Sequence, residues 1–292
     1  MTGRQARGRA WRQGLAGLTL GLAAVTAGAI EPGSELAAQI LAEQRQALER
    51  AVYETSQVIE TSQADGVELA EAFRARGIAR SRLTQYAEAL ADFSRAIELD
   101  QVNVQYYEDR AITYLKLHEF KAASRDLDMA LGLDTRRSSS FREKGRLAFY
   151  QGDFQLAARE FARALATASG DAVVYTAIWL HVAIQRGGLQ GEAPLAGILA
   201  QIDPNRWPSP VLQMYTGAIQ PEEAVASAVS PNPRNELLLK CEAYFYAGQE
   251  YLIRNQKKEA RAAFALALAT GATEFLEYDW SARELELLDA KK

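Results

Sequence analysis

A spacing of 34 residues recurs along this chain and keeps its register at each position where two packed helices would touch. Tyr86, Phe120 and Phe154 share one position, Ala89, Ala123 and Ala157 another, Phe93, Leu127 and Phe161 a third, and Ala96, Ala130 and Ala164 a fourth. Upstream, Gly77, Ala111 and Gly145 share a small position. Small residues let two helices approach closely, and the bulky residue that opens the second helix fills the space beside the crossing. Each period therefore encodes an antiparallel helix pair. One pair cannot bury its own apolar face, so units of this kind stack, and the ends of the stack need capping. The expected architecture is all-α, a solenoid with three regular units over 70–171.

A further match comes late, where Tyr244, Gly248, Tyr251, Ala260, Phe264 and Ala267 repeat the pattern. It marks a final unit in 241–292, with a capping helix from about Asp279 to Leu288. Over 172–240 the period is lost. Tyr175, Ile178, Trp179 and Val182 still sit at helical spacing, but seven of the eight prolines fall between Pro194 and Pro233. Proline both breaks and starts helices, which predicts short helices over 192–201, 209–218 and 221–229. Ahead of the repeats, Leu36, Ile40, Leu48, Val52 and Ile59 form an apolar stripe on an amphipathic helix over 34–63. That helix is expected to cap the first unit and offers a surface for homodimerisation.

The first 29 residues read as an address. Arg4, Arg7, Arg9 and Arg12 precede an uncharged run from Leu15 to Ile30 that closes in Ala27-Gly28-Ala29, the pattern of a secretory signal peptide cut after Ala29. The alternative is a retained anchor, for which the run is short, since a span takes about 20 residues. No cysteine follows the run, so no lipid anchor is expected at that site. The leader holds four arginines and no acid, leaving 29 basic and 37 acidic residues and a net charge of −8. That balance argues against nucleic-acid binding and, with the leader, points to a periplasmic protein. Cys241 is the single cysteine, so no internal disulfide forms.

Signs of catalysis are scarce. His118 and His181 are the two histidines, too few for a metal site built on imidazoles. No nucleophile elbow, zinc-helix motif or glycine-rich phosphate loop occurs. A non-enzyme without cofactor or metal is expected; an acid pair facing a pocket near Trp207 would argue otherwise.

The register does define a candidate binding groove. First helices of successive units line the concave side of such a stack, which places Arg74, Ile78 and Arg82 from the first unit there. Glu108, Ile112, Leu115 and Lys116 follow from the second, and Arg142, Arg146, Phe149 and Tyr150 from the third. A basic strip on an apolar floor suits an extended peptide bearing acidic groups or a free carboxylate. On this reading, replacing Arg142 and Arg146 together with alanine weakens a partner without unfolding the protein.

These residues carry a resemblance to the tetratricopeptide-repeat superfamily over 70–171 and 241–274. The layout of leader, N-terminal helix, regular repeats, proline-interrupted middle, late repeat and closing helix also resembles the NlpI family of bacterial envelope proteins. The run CEAYFYAGQEYLIRNQKKEARAAFALALATGATEFLEYDWSARELELL, from Cys241 to Leu288, is its most specific part. The resemblance implies an adaptor that binds a periplasmic C-terminal-processing protease and peptidoglycan hydrolases and so influences cell-wall turnover. The family's best-known members are lipid-anchored, and this chain lacks the lipobox cysteine. The alternative is an assembly factor for an envelope machine such as a secretion system, pilus or outer-membrane complex.

Overall fold

A computed structural model describes residues 30–61 and 66–290; the leader expected over residues 1–29 lies outside the described residues. Fourteen helices and no strand occur among the described residues. α1 (Glu35–Thr61) precedes three pairs: α2 (Val67–Arg82) with α3 (Tyr86–Leu99), α4 (Val104–Lys116) with α5 (Phe120–Leu133), and α6 (Ser138–Tyr150) with α7 (Phe154–Thr167). α8 (Asp171–Gly187) leads into three short helices, α9 (Leu195–Leu199), α10 (Ser209–Tyr215) and α11 (Pro221–Ala226). α12 (Pro233–Ile253), α13 (Lys257–Ala269) and α14 (Leu276–Ala290) complete the chain.

The same local chemistry recurs in each pair. The turn between its helices passes through one residue in the left-handed region, Thr84, His118 and Gly152 in the regular units and Asn255 in the late one. That residue lets the chain close a Schellman-type bond, from Gln85 N to Arg80 O, Glu119 N to Tyr114 O and Asp153 N to Ala148 O, each 2.9 Å,. The late unit repeats it from Gln256 N to Tyr251 O at 2.7 Å. His118 thus sits at this turn for its backbone conformation.

The helix crossings explain the small positions. A Cβ on Gly77 would lie 2.8 Å from the Phe93 ring, one on Gly145 2.6 Å from Phe161, and one on Gly248 2.5 Å from Phe264. Where the facing residue is the slimmer Leu127, the small position is Ala111 and both are fully buried. An ion-pair ladder runs beside the crossings: Arg76 Nη2 reaches Asp92 Oδ1 at 2.8 Å and Arg110 Nε reaches Asp126 Oδ2 at 2.7 Å. The acids of both pairs are buried, and Asp92 also meets Arg80 Nη1 at 2.7 Å, so loss of Arg110 would strand Asp126 whereas loss of Arg76 would leave Asp92 with Arg80,.

The proline-interrupted stretch forms shorter helices than its composition suggests. Gly217 ends α10 with a φ of 77°, and Pro221 starts α11 at its first turn, where the missing N–H costs nothing,. α10 nonetheless buries Val211, Leu212 and Met214 in the core, and Tyr215 Oη donates to Tyr246 O at 3.0 Å. This segment thus closes the apolar surface of α8 and α12.

The largest core cluster spans α4 to α14 and centres on Trp179, which contacts Phe149, Phe161, Phe245 and Trp280. A smaller cluster around Ala70, Ala96 and Tyr106 joins the first pair to α4. Substituting Gly145→Ala forces a methyl into the Phe161 ring and should cost about 1–3 kcal/mol. Gly132→Ala, at an open helical site with nothing within 4 Å, should stabilise by about 0.4–1 kcal/mol,. Urea unfolding of the two variants checks both signs.

Candidate partner-binding face

The concave strip predicted from the register divides into two halves with different fates. In its C-terminal half, α14 lies on the first helices of the repeats. Tyr150 stacks on Trp280 with ring centres 4.4 Å apart, and the Arg146 guanidinium sits 5.3 Å from the Trp179 ring and 5.4 Å from that of Trp280. Arg146 pairs with Glu143 at 2.9 Å and with Glu277 of α14 at 3.7 Å. Burial works against its charge, and the two carboxylates outweigh it, holding the guanidinium ionised above its ordinary range,. Lys116 Nζ reaches Asp279 Oδ2 at 3.1 Å and donates to Thr273 O at 2.6 Å. Arg186 of α8 pairs with Glu284 at 2.9 Å. An acidic, tryptophan-bearing helix of the chain itself therefore covers the basic floor.

Several candidate residues are consumed in this way. Phe149 and Leu115 are core residues, and Glu108 is buried, accepting from Ser139 Oγ at 2.5 Å, Ser140 Oγ at 2.6 Å and Arg137 Nη2 at 3.0 Å. Arg142, half-buried, lies 3.5 Å from Glu143. The expectation that Arg142 and Arg146 can be removed together without harm to the fold is accordingly corrected, because Arg146 holds two buried acids in place. The closing helix does more than cap the last unit, since its acids reach into the third repeat.

The N-terminal half stays accessible. Ile78 and Ile112 form the partly buried floor of a cleft edged by Ser81, Arg82, Asp109, Lys116 and Glu274. Arg74 is held by Asp109 at 2.6 Å and by Glu71 at 3.4 Å. Arg82 is exposed and forms no ion pair among the described residues; its carbonyl accepts from Thr273 Oγ1 at 3.1 Å. The cleft holds about 110 Å³, well below the ~300–1,000 Å³ of small-molecule sites, and suits one apolar side chain.

The loop between α13 and α14 draws the two ends of the stack together. Glu274 accepts from Arg234 Nη2 at 3.0 Å and from Gln44 of α1. A Cβ on Gly271, whose φ is 69°, would collide with a Leu41 methyl carbon. Glu274, Glu277 and Asp279 are the residues that register reasoning missed. The signal was the acidic face of the closing run, opposite in sign to the strip.

Near Trp207 lies the acid that the sequence flagged as a condition for chemistry. Glu242 accepts from Trp207 Nε1 at 2.7 Å and from Tyr175 Oη at 3.3 Å. Burial, then Glu277, pushes its carboxyl up to about 8,. Both acids are buried and engaged by neighbouring side chains. His181 packs on Tyr215 with ring centres 4.8 Å apart and planes tilted by 43°, and burial lowers it to about 4, so it stays neutral at physiological pH.

Two predictions follow from these burials. Arg146→Ala should destabilise by about 3–5 kcal/mol in urea unfolding, because Glu143 and Glu277 lose their counter-charge. Glu242 holds its proton in the folded protein and loses it in the unfolded chain above the ordinary carboxylate range. Its stabilising effect is complete below about 4.5 and disappears as pH rises through about 8,. Thermal unfolding of Glu242→Gln should therefore show a flatter decline between those values than the wild type.

No family model matches the chain. It is 25% identical over 233 residues to the lipoprotein NlpI homolog of Haemophilus influenzae, covering 79% of this chain and 74% of that protein. It is 34% identical over 98 residues to Hsc70-interacting protein 1 of Drosophila melanogaster, a stretch that covers 34% of this chain and only 26% of that relative. Among solved structures, a tetratricopeptide repeat protein from Parabacteroides merdae aligns with a TM-score of 0.49 at 16% identity, covering 87% of this chain and 99% of that one. The recurrence of turn and crossing at one period of 34 residues makes the fold a tetratricopeptide-repeat helical solenoid, and the chain is similar to the NlpI homolog over most of its length.

Proposed function

We propose that this protein is a non-enzymatic adaptor of the bacterial envelope that holds a protein or extended peptide partner against the N-terminal half of its concave face. The supporting observation is the division of that face: α14 occupies the half around Arg146, while Ile78, Arg82 and Ile112 remain accessible. An apolar floor beside an unpaired guanidinium suits a segment with one apolar side chain next to a carboxylate. Arg74 and Lys116, already paired, would position this edge. Glu108, Leu115, Arg142, Arg146, Phe149 and Tyr150 support the face from within.

The envelope assignment rests on the leader pattern and on the similarity to a protein named as a lipoprotein. No helix among the described residues is long and apolar enough to cross a membrane. We read residues 1–29 as removed after Ala29, which leaves a periplasmic protein without a lipid anchor. A C-terminal-processing protease or a peptidoglycan hydrolase is the partner that the NlpI resemblance favours. Secretion, pilus or outer-membrane assembly components are the alternative clients, and exposed Leu36 and Tyr53 on α1 leave room for self-association.

Affinity capture from the envelope fraction, followed by titration of the captured partner, tests this reading. Arg82→Ala should weaken binding about tenfold, the loss of one charged hydrogen bond, with the melting temperature unchanged. Ile112→Asp should weaken it further. Unchanged affinity in both variants would place the partner elsewhere, and capture of assembly components in place of proteases or hydrolases would favour the alternative client.

A further inference from the structure

The short strap before α1 is held by three contacts at a single residue. Ile30 N–H donates to Glu236 Oε1 at 2.7 Å, Lys240 Nζ donates to Ile30 O at 2.6 Å, and the Ile30 side chain is buried with Ala37 and Leu237. Glu236 is 5% exposed and Lys240 7% exposed, and the two pair at 3.4 Å. Gly33, with a φ of 80°, turns the strap into α1, whose first turn is capped by Ser34 Oγ accepting from Ala37 N at 3.2 Å. Glu236 therefore has two partners in its buried setting, the Lys240 ammonium and the Ile30 nitrogen, and a stronger donor at that nitrogen would offset more of the cost of its burial,. Ile30 is also the residue that follows Ala27-Gly28-Ala29.

We propose that Glu236 and Lys240 form a receptor for the processed N-terminus of this chain, in which the Ile30 α-ammonium pairs with the Glu236 carboxylate. The proposal rests on the reading that the leader is cut after Ala29. A signal peptidase adds water across the Ala29–Ile30 amide: the hydroxyl goes to the Ala29 carbonyl carbon, the water's other hydrogen goes to the Ile30 nitrogen as the C–N bond breaks, and the new acid's proton then passes to the same nitrogen. The products are a carboxylate on the leader and an ammonium on the mature chain. The amide donor at Glu236 thereby becomes a charge-assisted one, roughly twice as strong. The charged and titratable groups around it are Glu236 and Lys240 of α12, Glu31 of the strap, and Tyr244, whose hydroxyl burial and Glu31 push up to about 12. The ammonium balances a site that otherwise holds one acid and one base on α12, with exposed Glu31 beside it. Processing thus fastens the start of α1 to α12, at the seam where the two ends of the stack meet.

Secreting the full chain from its own leader in a bacterial host and acylating the purified native protein at pH 8 tests the pairing. Peptide mass spectrometry then reads both the terminal residue and its labelling rate. An α-ammonium held by Glu236 loses its proton less readily than a free one, ordinarily near ~8. The Ile30 amine should therefore label at least about tenfold more slowly than in the urea-unfolded protein, the effect of one pH unit. Glu236→Gln, which keeps the burial and removes the charge, should lose most of that protection. A terminus at Ile30 that labels as fast as in the unfolded chain overturns the receptor and leaves the cleavage reading standing. Protection undiminished in Glu236→Gln also overturns it, since burial alone then suffices. A terminus at any other residue overturns both.

Discussion

The guanidinium of Arg146 lies against both Trp179 of α8 and Trp280 of α14, and through it the third repeat is joined to the C-terminal helix. Burying an arginine costs several kcal/mol unless its charge is matched. Here Glu143 on its own helix and Glu277 on α14 supply the match, and the two indoles supply ring faces worth about 2 kcal/mol in a desolvated site,. Trp280 and Tyr150 then stack, so α14 brings a counter-charge and a large apolar surface to the same place. Removing either contribution leaves the other without support. This coupling distinguishes α14 from a helix that merely shields the last unit.

Lys116 with Asp279, and Arg186 with Glu284, extend the contact along α14. The loop before it reaches α1, α2 and α12 through Gly271, Thr273 and Glu274. The solenoid is consequently tied across its concave side, and the surface left for a partner is set by where α14 stops. Ile78, Arg82 and Ile112 lie beyond that limit. The same closure brings the strap at Ile30 onto α12, so the receptor proposed for the processed terminus sits on the seam that the tie creates.

Much of this was legible in the chain. The shared registers of Gly77, Ala111 and Gly145 and of Phe93, Leu127 and Phe161 mark each helix crossing, although the space beside the glycines is filled by Phe93 and Phe161 and not by the residues that open the second helices, as expected from the sequence. The late unit was legible for the same reason through Gly248 and Phe264. The course of α14 was not, because it depends on contacts between residues more than 120 positions apart, such as Arg146 with Glu277. A periodic pattern carries no record of such distances. Arg146 and Tyr150 come from register positions, yet the acid and the indole of α14 that meet them, Glu277 and Trp280, lie outside the repeat register. The short helices α9 to α11 ran shorter than expected; Gly217, in the left-handed region, turns the chain directly after α10.

Hydrogen exchange of the native protein by mass spectrometry tests most directly whether α14 is a permanent part of the fold. Amides of residues 276–290 should exchange with the same slow, global opening as those of α7 and α8, and denaturant should accelerate all three together. Exchange of α14 far ahead of α7 and α8 would contradict this account: the helix would then be a removable plug, and the partner face would extend to Arg146.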